Sequence, residues 1–80
     1  MPKCKVTERH IFEGMPESPY SCPIALALRD YFATDDVSVE ENGILVGAVG
    51  LKMSKKINRF ITDFDEGEPV MPFTFDLEIA

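Results

Sequence analysis

The sequence predicts an α+β protein: one domain over residues 1–80, in which about four strands form a small, mostly antiparallel sheet with helices packed on one face. Three observations predict this class. An apolar stripe of helical period runs through residues 54–66, strict alternation follows over 73–79, and an Asn-Gly pair separates two β-branched runs. Together with the N-terminal signals below, they predict the order β-α-α-β-β-α-β.

The N-terminal region predicts a short strand followed by a short helix. Residues 3–6 are consistent with a first strand. Thr7 is a suitable N-cap for a helical turn over 8–13, and Gly14 can end that turn as a C-terminal glycine. The following segment, 15–20, contains two prolines and is predicted to be a loop.

A second helix is expected to begin at Ser21 and to end near Ala33. Serine is a good N-cap, and Pro23 then falls in the first turn, where its missing N–H is not needed. Six apolar residues define the predicted buried face: Ile24, Leu26, Ala27, Leu28, Tyr31 and Phe32.

The middle of the chain predicts a β-hairpin. Residues 37–40 and 44–46 are β-branched runs, and Asn42-Gly43 between them favours a tight turn because both residues tolerate positive φ. The second strand is expected to continue through 47–51, with its glycines allowing a bend or a bulge.

The C-terminal region carries the clearest signals. Ser54 can cap a helix over 54–66, which Gly67 can end in the left-handed conformation. After a proline-containing connection, Phe73 begins an alternation of apolar and polar residues that runs to Ile79, which predicts a strand with one buried face. The helical stripe consists of Ile57, Phe60, Ile61 and Phe64.

Composition predicts a soluble protein of the cytoplasm. Hydrophobic residues make up 45% of the chain, yet no run reaches the roughly 20 apolar residues of a membrane span. Residues 1–5 show no apolar stretch of a signal peptide. The two cysteines are fewer than small secreted domains use, so free thiols are expected. The net charge of −6 disfavours direct binding of nucleic acid but suits a basic protein partner.

Catalytic and metal-binding interpretations find little support. Cys22 near a helix N-terminus would favour a thiolate, but a nucleophile also needs a base, and nothing in the sequence places His10, the one histidine, beside it. Cys4, Cys22 and His10 lack the close pair typical of structural zinc sites. We therefore predict no catalytic residues, no metal site and no cofactor.

Several motifs together resemble a family of short hypothetical proteins from tailed phages and prophages. They span nearly the whole chain, and the most distinctive is Cys22-Pro23-Ile24-Ala25-Leu26-Ala27. The others are His10-Ile11 with Gly14, Phe60-Ile61, and Phe64-Asp65-x-Gly67-x-x-Val70-x-Pro72-Phe73-x-Phe75. That family has no established activity, so the resemblance implies a phage origin and transfers no functional residues.

The first functional hypothesis is a non-enzymatic accessory protein that binds a host or phage protein. Small phage proteins often act in this way, and inhibition of a host defence or metabolic factor is the form expected by analogy. An acidic corner at the end of the last helix and exposed apolar anchors would make the contact. These candidate residues are Asp63, Asp65, Glu66, Glu68, Met15 and Tyr20.

The second hypothesis is a homo-oligomer that binds or sequesters a small, nucleotide-like ligand. Its candidate site is the start of the second helix, where Ser21, Cys22 and free backbone N–H groups could meet an anion. Pro23 removes one of those donors. Neither hypothesis involves a membrane.

Overall fold

The computed structural model describes residues 2–80, and within them the α+β class and the antiparallel pairing are as predicted. One strand is present beyond the expected set, and the strands form two sheets rather than one. In chain order the elements are β1 (Lys3–Val6), α1 (Glu8–Glu13), α2 (Pro23–Phe32), β2 (Val37–Glu40), β3 (Gly43–Val46), β4 (Val49–Leu51), α3 (Lys55–Asp65) and β5 (Phe73–Asp76).

The two sheets are joined by the C-terminal segment. β1 pairs with β5, and β2, β3 and β4 pair in that order, all antiparallel. Just past β5, the Leu77 N–H donates to the carbonyl of Pro2 at 2.9 Å, and the Ala80 N–H donates to the carbonyl of Gly50 at 3.0 Å. Residues 73–80 therefore lie between β1 and β4. The strand predicted over 73–79 is confirmed for Phe73–Asp76, and beyond it only Ile79 forms an isolated bridge, with Leu51.

The core forms between the inner face of these strands and the helices. α2 packs on β1 and β2. The stripe of α3 adds Ile57 and Phe60, and the Phe60 ring lies 4.8 Å from the Phe73 ring between centroids. The largest fully buried side chains are Val6, Pro23, Ile24, Leu28, Ile44 and Ile57. A domain of this size has one thin core, so any apolar face left outside it stands out.

The predicted hairpin is present, but its turn lies one residue earlier than expected. Gly43 pairs with Glu40, which leaves Glu41 and Asn42 as the turn, and neither Asn42 nor Gly43 has a positive φ. The observed register places the buried Val39 opposite the buried Ile44 of β3. A turn at Asn42-Gly43 would instead place Glu41 opposite Ile44. Apolar cross-strand pairing therefore decides the register.

The prediction that β3 continues to residue 51 is wrong. The chain turns back at Gly47, whose φ is 60°, and β4 pairs antiparallel with β3, with Val46 opposite Val49. A glycine in the first position of a two-residue turn, at positive φ, matches the twist of the strands that it connects. The apolar run thus forms a second hairpin.

The start of α2 also differs from the prediction, because its N-cap is Cys22 rather than Ser21. The residue before a proline avoids the helical conformation, so Cys22 is extended, with ψ 162°, and Pro23 becomes the first helical residue. The Cys22 sulfur accepts a hydrogen bond from the Ala25 N–H at 3.4 Å. α2 ends as predicted, with Ala33 at a left-handed φ of 54°.

The other helix termini follow the sequence signals, with one exception. Thr7 caps α1 and Ser54 caps α3, each through its side-chain oxygen, and Gly67 after α3 has a φ of 80°. Gly14 ends α1 but is not left-handed, since its φ is −71°. A Cβ at this position would lie 2.6 Å from the Cδ of Pro23, so close packing rather than φ requires the glycine.

Candidate functional site

The apolar inner face of the strands is covered at one end and open at the other. Along the C-terminal segment, Leu77 is 9% exposed and Ile79, two residues on and on the same face, is 73% exposed. On β4 the exposed fraction rises in the same way between two residues of one face, from 6% at Leu51 to 48% at Val49. Adjacent strands therefore lose their cover at the same end of the sheet.

This open end forms an apolar groove of about 530 Å³. Its floor is the sheet, and one wall is the last turn of α2, where Tyr31 and Phe32 contact each other edge to face at 4.8 Å. The groove is lined by Pro2, Tyr31, Phe32, Thr34, Asp36, Val46, Gly47, Val49, Leu51, Leu77 and Ile79. We refer to it as the apolar groove.

The prediction that Tyr31 and Phe32 belong to the buried face of α2 is wrong, since both are exposed. Their helical spacing places them on the side of α2 that faces the sheet. Both lie in the last turn of α2, beside the groove, where no further element covers them within the described residues. The sequence assigned Ile79 to the buried face for the same reason. Periodicity identifies a face but does not show how far the opposing element extends over it.

The charge in the apolar groove is negative. Among its lining residues within 2–80, Asp36 is the only charged one, and its carboxylate forms no salt bridge with any described residue. The neighbouring Asp35 instead pairs with Arg29 at 3.0 Å. An unpaired carboxylate at the wall of an apolar groove favours a cationic group on whatever enters it.

The predicted acidic corner is only partly one site. Asp65 lines a second cleft of about 350 Å³, and its Oδ1 accepts a hydrogen bond from the Glu17 N–H at 2.8 Å. The structure adds the carboxylates of Glu17, Glu40 and Glu41 to this cleft, which the sequence did not associate with Asp65. The described residues around it include no lysine, arginine or histidine. We refer to it as the acidic cleft.

The remaining residues of the predicted partner surface lie outside both sites. Asp63 lies beside a shallow depression on the other side of α3, and Glu66 and Glu68 are exposed in the segment that follows the helix. Met15 and Tyr20 are exposed, as the anchor hypothesis requires, but neither lines the apolar groove or the acidic cleft. The structure thus does not gather the six candidates into one surface.

The predicted anion site at the start of α2 contains two different environments. Cys22 is buried and borders the acidic cleft, while Ser21 is half-buried and its N–H donates to the Ser18 hydroxyl at 3.1 Å. Burial raises the pKa of the Cys22 thiol, and the nearby charge of Asp65 adds to the effect. The neutral thiol supplies no positive charge, and the surrounding carboxylates oppose an anionic ligand here.

Burial also keeps the second thiol, that of Cys4, in its neutral form. Cys4 lies in β1 under α2, both cysteines are free, and burial raises the pKa of Cys4 to about 11, with the charge of Asp30 contributing. A thiol with so high a pKa is almost entirely protonated at neutral pH and is a poor nucleophile. The structure has no disulfide between Cys4 and Cys22.

The buried histidine belongs to a helix-capping network. The Thr7 backbone N–H donates to Nδ1 of His10 at 3.0 Å, which leaves the hydrogen on Nε2 to be donated to Asp30 at 2.7 Å. Arg9 also pairs with Asp30 at 2.5 Å. The hydrogen bond from His10 lowers the pKa of Asp30, and the charge of Arg9 adds to this. Nothing in the network places a cysteine beside the imidazole.

Within residues 2–80, both metal-binding groups and membrane-spanning helices are absent. No group of three or more His, Cys, Asp and Glu side chains in this range could hold a metal ion. None of the helices in this range has the length and apolar character needed to cross a membrane.

The side chains that form the apolar groove come from four separate parts of the chain, and no spacing in the sequence connects them. A signal existed only for the floor: the alternation through Ile79 and the β-branched run around Val49 showed that apolar residues would line one face. The position of the end of α2 over that face follows from the tertiary structure. No family model, curated protein or solved structure matches this chain, so the resemblance to short phage proteins stays a prediction.

Proposed function

We propose that this chain is a protein-binding factor whose contact with its partner is the apolar groove. The observation that carries the proposal is the parallel loss of cover at Val49 and Ile79 on neighbouring strands, beside the exposed rings of Tyr31 and Phe32. Small monomers rarely leave a contiguous apolar face open, and such faces mark contact sites. Aromatic side chains at the centre of a contact contribute much of its affinity.

The charge of the molecule indicates the character of the partner. With a net charge of −6, and with no salt bridge from Asp36 at the groove to any described residue, the surface is complementary to a basic protein. A second copy of the chain would carry the same net charge of −6, and repulsion between the two copies disfavours self-association. The acidic cleft, with Asp65, would serve as a secondary contact or steer the encounter.

The resemblance to short phage proteins supports the choice of where to seek the partner. It favours a bacterial protein, with inhibition of a defence or metabolic factor as the biological outcome of binding. A nucleotide-like ligand receives no comparable support, because the apolar groove offers few polar groups and the acidic cleft repels anions.

The test compares variants that carry a new charge either in the groove or on the opposite face of the β3–β4 hairpin. Ile79→Asp and Val49→Asp place a carboxylate in the groove, whereas Leu45→Asp places it on the opposite face of β3, at a residue about as exposed as Val49. Tagged proteins are purified from a bacterial host, and retained proteins are quantified by mass spectrometry. Each variant is first shown to melt as the parent does.

The expected result is a bacterial protein held at fixed stoichiometry by the parent and by Leu45→Asp, and reduced about tenfold or more by either groove variant. Equal retention by all variants would place the contact elsewhere and overturn the proposal. Loss only in Glu40→Gln/Glu41→Gln, with the groove variants unaffected, would move the contact to the acidic cleft.

A further inference from the structure

We infer that the partner fills the apolar groove with an amphipathic α-helix that carries lysine or arginine beside its apolar stripe. This inference rests on the proposed function and specifies the partner's structure. It follows from the hydrogen bonding of the groove floor, from the layer in which the groove lies, and from the charge of its wall.

In the floor of the groove, the strand edges at Leu51 and Leu77 are already paired. β4 is paired with β3 on one side, and on the other side Leu51 forms a bridge with Ile79, flanked by the hydrogen bond from the Lys52 N–H to the Glu78 carbonyl at 2.8 Å. The C-terminal segment is likewise held by β1 through Leu77. Beside Leu51 and Leu77 a partner segment therefore cannot add a strand, and there it must contact the floor through side chains.

A segment lying on an apolar floor must satisfy its own backbone polar groups. The lining side chains that face the segment are almost entirely apolar, with Thr34 and Asp36 at one wall. An extended or irregular segment would bury unpaired N–H and C=O groups there, which is unfavourable because those groups lose their hydrogen bonds to water. A helix satisfies these groups internally, so it can cover the floor at no such cost.

The groove is also a vacant place in an existing helical layer. α2 covers the inner face of the strands until it ends at Phe32, and the groove begins at that end. A second helix placed there would continue the same layer, since sheets bury their apolar faces against packed helices. A volume of about 530 Å³ suits a few large side chains, as supplied by positions i, i+3, i+4 and i+7 of a helix.

The charge at the wall sets the polar part of the occupant. Asp36 is positioned at the rim between the end of α2 and the turn at Gly47, where the carboxylate oxygen Oδ2 lies about 4.0 Å from the position of an added Cβ on that glycine. A basic residue flanking the apolar stripe of the incoming helix would pair with this carboxylate. An acidic flank would be repelled by it.

The probe is a synthetic peptide of leucine and lysine with leucine at i, i+3, i+4 and i+7. Two matched peptides accompany it: one has the same composition in strict alternation, which suits a strand, and the other replaces lysine by glutamate at the same spacing. Binding to the full chain is followed by NMR shifts of backbone amides. The protein variants are Ile79→Asp, Asp36→Asn and Leu45→Asp.

The helical leucine–lysine peptide is expected to shift amides around Tyr31, Val49 and Ile79. Ile79→Asp should weaken it about tenfold or more, Asp36→Asn about two- to fivefold, and Leu45→Asp by less than about twofold. The alternating and glutamate peptides should bind the groove far more weakly. This pattern supports the inference.

Three outcomes would overturn the inference. Equal groove binding by the alternating peptide would remove the preference for a helix while leaving the groove as the contact site of the proposed function. Shifts confined to Glu17, Glu40 and Glu41 would show charge attraction to the acidic cleft alone. A concentration-dependent dimer in analytical ultracentrifugation, abolished by Ile79→Asp and kept by Leu45→Asp, would make a second copy the occupant.

Discussion

Nε2 of His10 lies 2.7 Å from Oδ2 of Asp30, so a single buried imidazole ties α1 to α2. The same ring accepts a hydrogen bond from the Thr7 backbone N–H through Nδ1, while the Thr7 hydroxyl accepts one from the His10 backbone N–H at 3.3 Å. A histidine thus completes a capping box, a place where glutamate or glutamine is the usual residue. The interaction both starts a helix and joins two elements.

Replacing His10 by alanine is therefore expected to lower the free energy of unfolding by about 1–3 kcal/mol, since Thr7 and Asp30 lose their shared partner. The measurement is urea denaturation followed by circular dichroism at neutral pH. Phe12→Ala is the matched control, because Phe12 lies on the same helix and is almost fully exposed. An equal loss in both variants would mean that helix packing rather than the His10 network is affected.

The Asp30 contact also predicts a dependence on pH. The pKa of Asp30 is lowered below its ordinary value of 3.8, first by the hydrogen bond from His10 and also by Arg9. Its stabilising contribution is therefore fully present above pH 3.8 and is lost as the pH falls through the lower, folded-state pKa. Stability of the parent minus that of Asp30→Asn should shrink over this acidic range. Carboxyl groups titrate between about pH 5 and about pH 2. A stability difference that stays constant over that range would contradict the prediction.

Both thiols are expected to resist modification in the folded protein. Cys4 and Cys22 are buried, and burial raises both pKa values, to about 11 for Cys4. A disulfide reagent at pH 8 should label the native chain on the timescale of unfolding and both thiols rapidly in denaturant. A Leu45→Cys variant supplies an exposed thiol as an internal standard for fast labelling. Rapid native labelling at Cys22 would mean that the acidic cleft opens to its floor.

Gly14 is expected to tolerate no side chain. An alanine Cβ would lie 2.6 Å from the Pro23 side chain at the start of α2, and Gly14→Ala should lower the free energy of unfolding by about 1–3 kcal/mol. Gly50→Ala is the control, because its nearest neighbours would be the Ala80 Cβ at 3.8 Å and a Leu45 methyl at 4.0 Å. Thermal denaturation compares the two. Similar stabilities would show that α1 can move away from Pro23 without loss.

The open end of the sheet predicts that truncation lowers stability much more at Leu77 than at Ile79, although both residues lie on one face. Leu77→Ala should lower the free energy of unfolding by about 2–4 kcal/mol because it leaves a cavity, whereas Ile79→Ala should change it by less than about 1 kcal/mol. Chemical denaturation of both variants makes the measurement. A large loss at Ile79 would show that the groove residue is part of the core in solution.

The sequence by itself determined the class of the fold and most of its local elements. The stripe from Ile57 to Phe64, the strand that begins at Phe73 and the caps at Thr7 and Ser54 are all confirmed, because each depends on residues within a few positions of one another. Even the error at Ser21 had a local cause, since the proline two residues later fixes the true N-cap.

The tertiary structure alone decided which apolar residues are covered. Leu77 and Ile79 have the same place in the alternation, yet only the first lies under the rest of the molecule. Val49 joins the groove because the chain turns back at Gly47, and Tyr31 joins it because α2 ends above that edge. Periodicity specifies the direction of a side chain within its own element, whereas cover depends on an element distant in sequence and on where it stops.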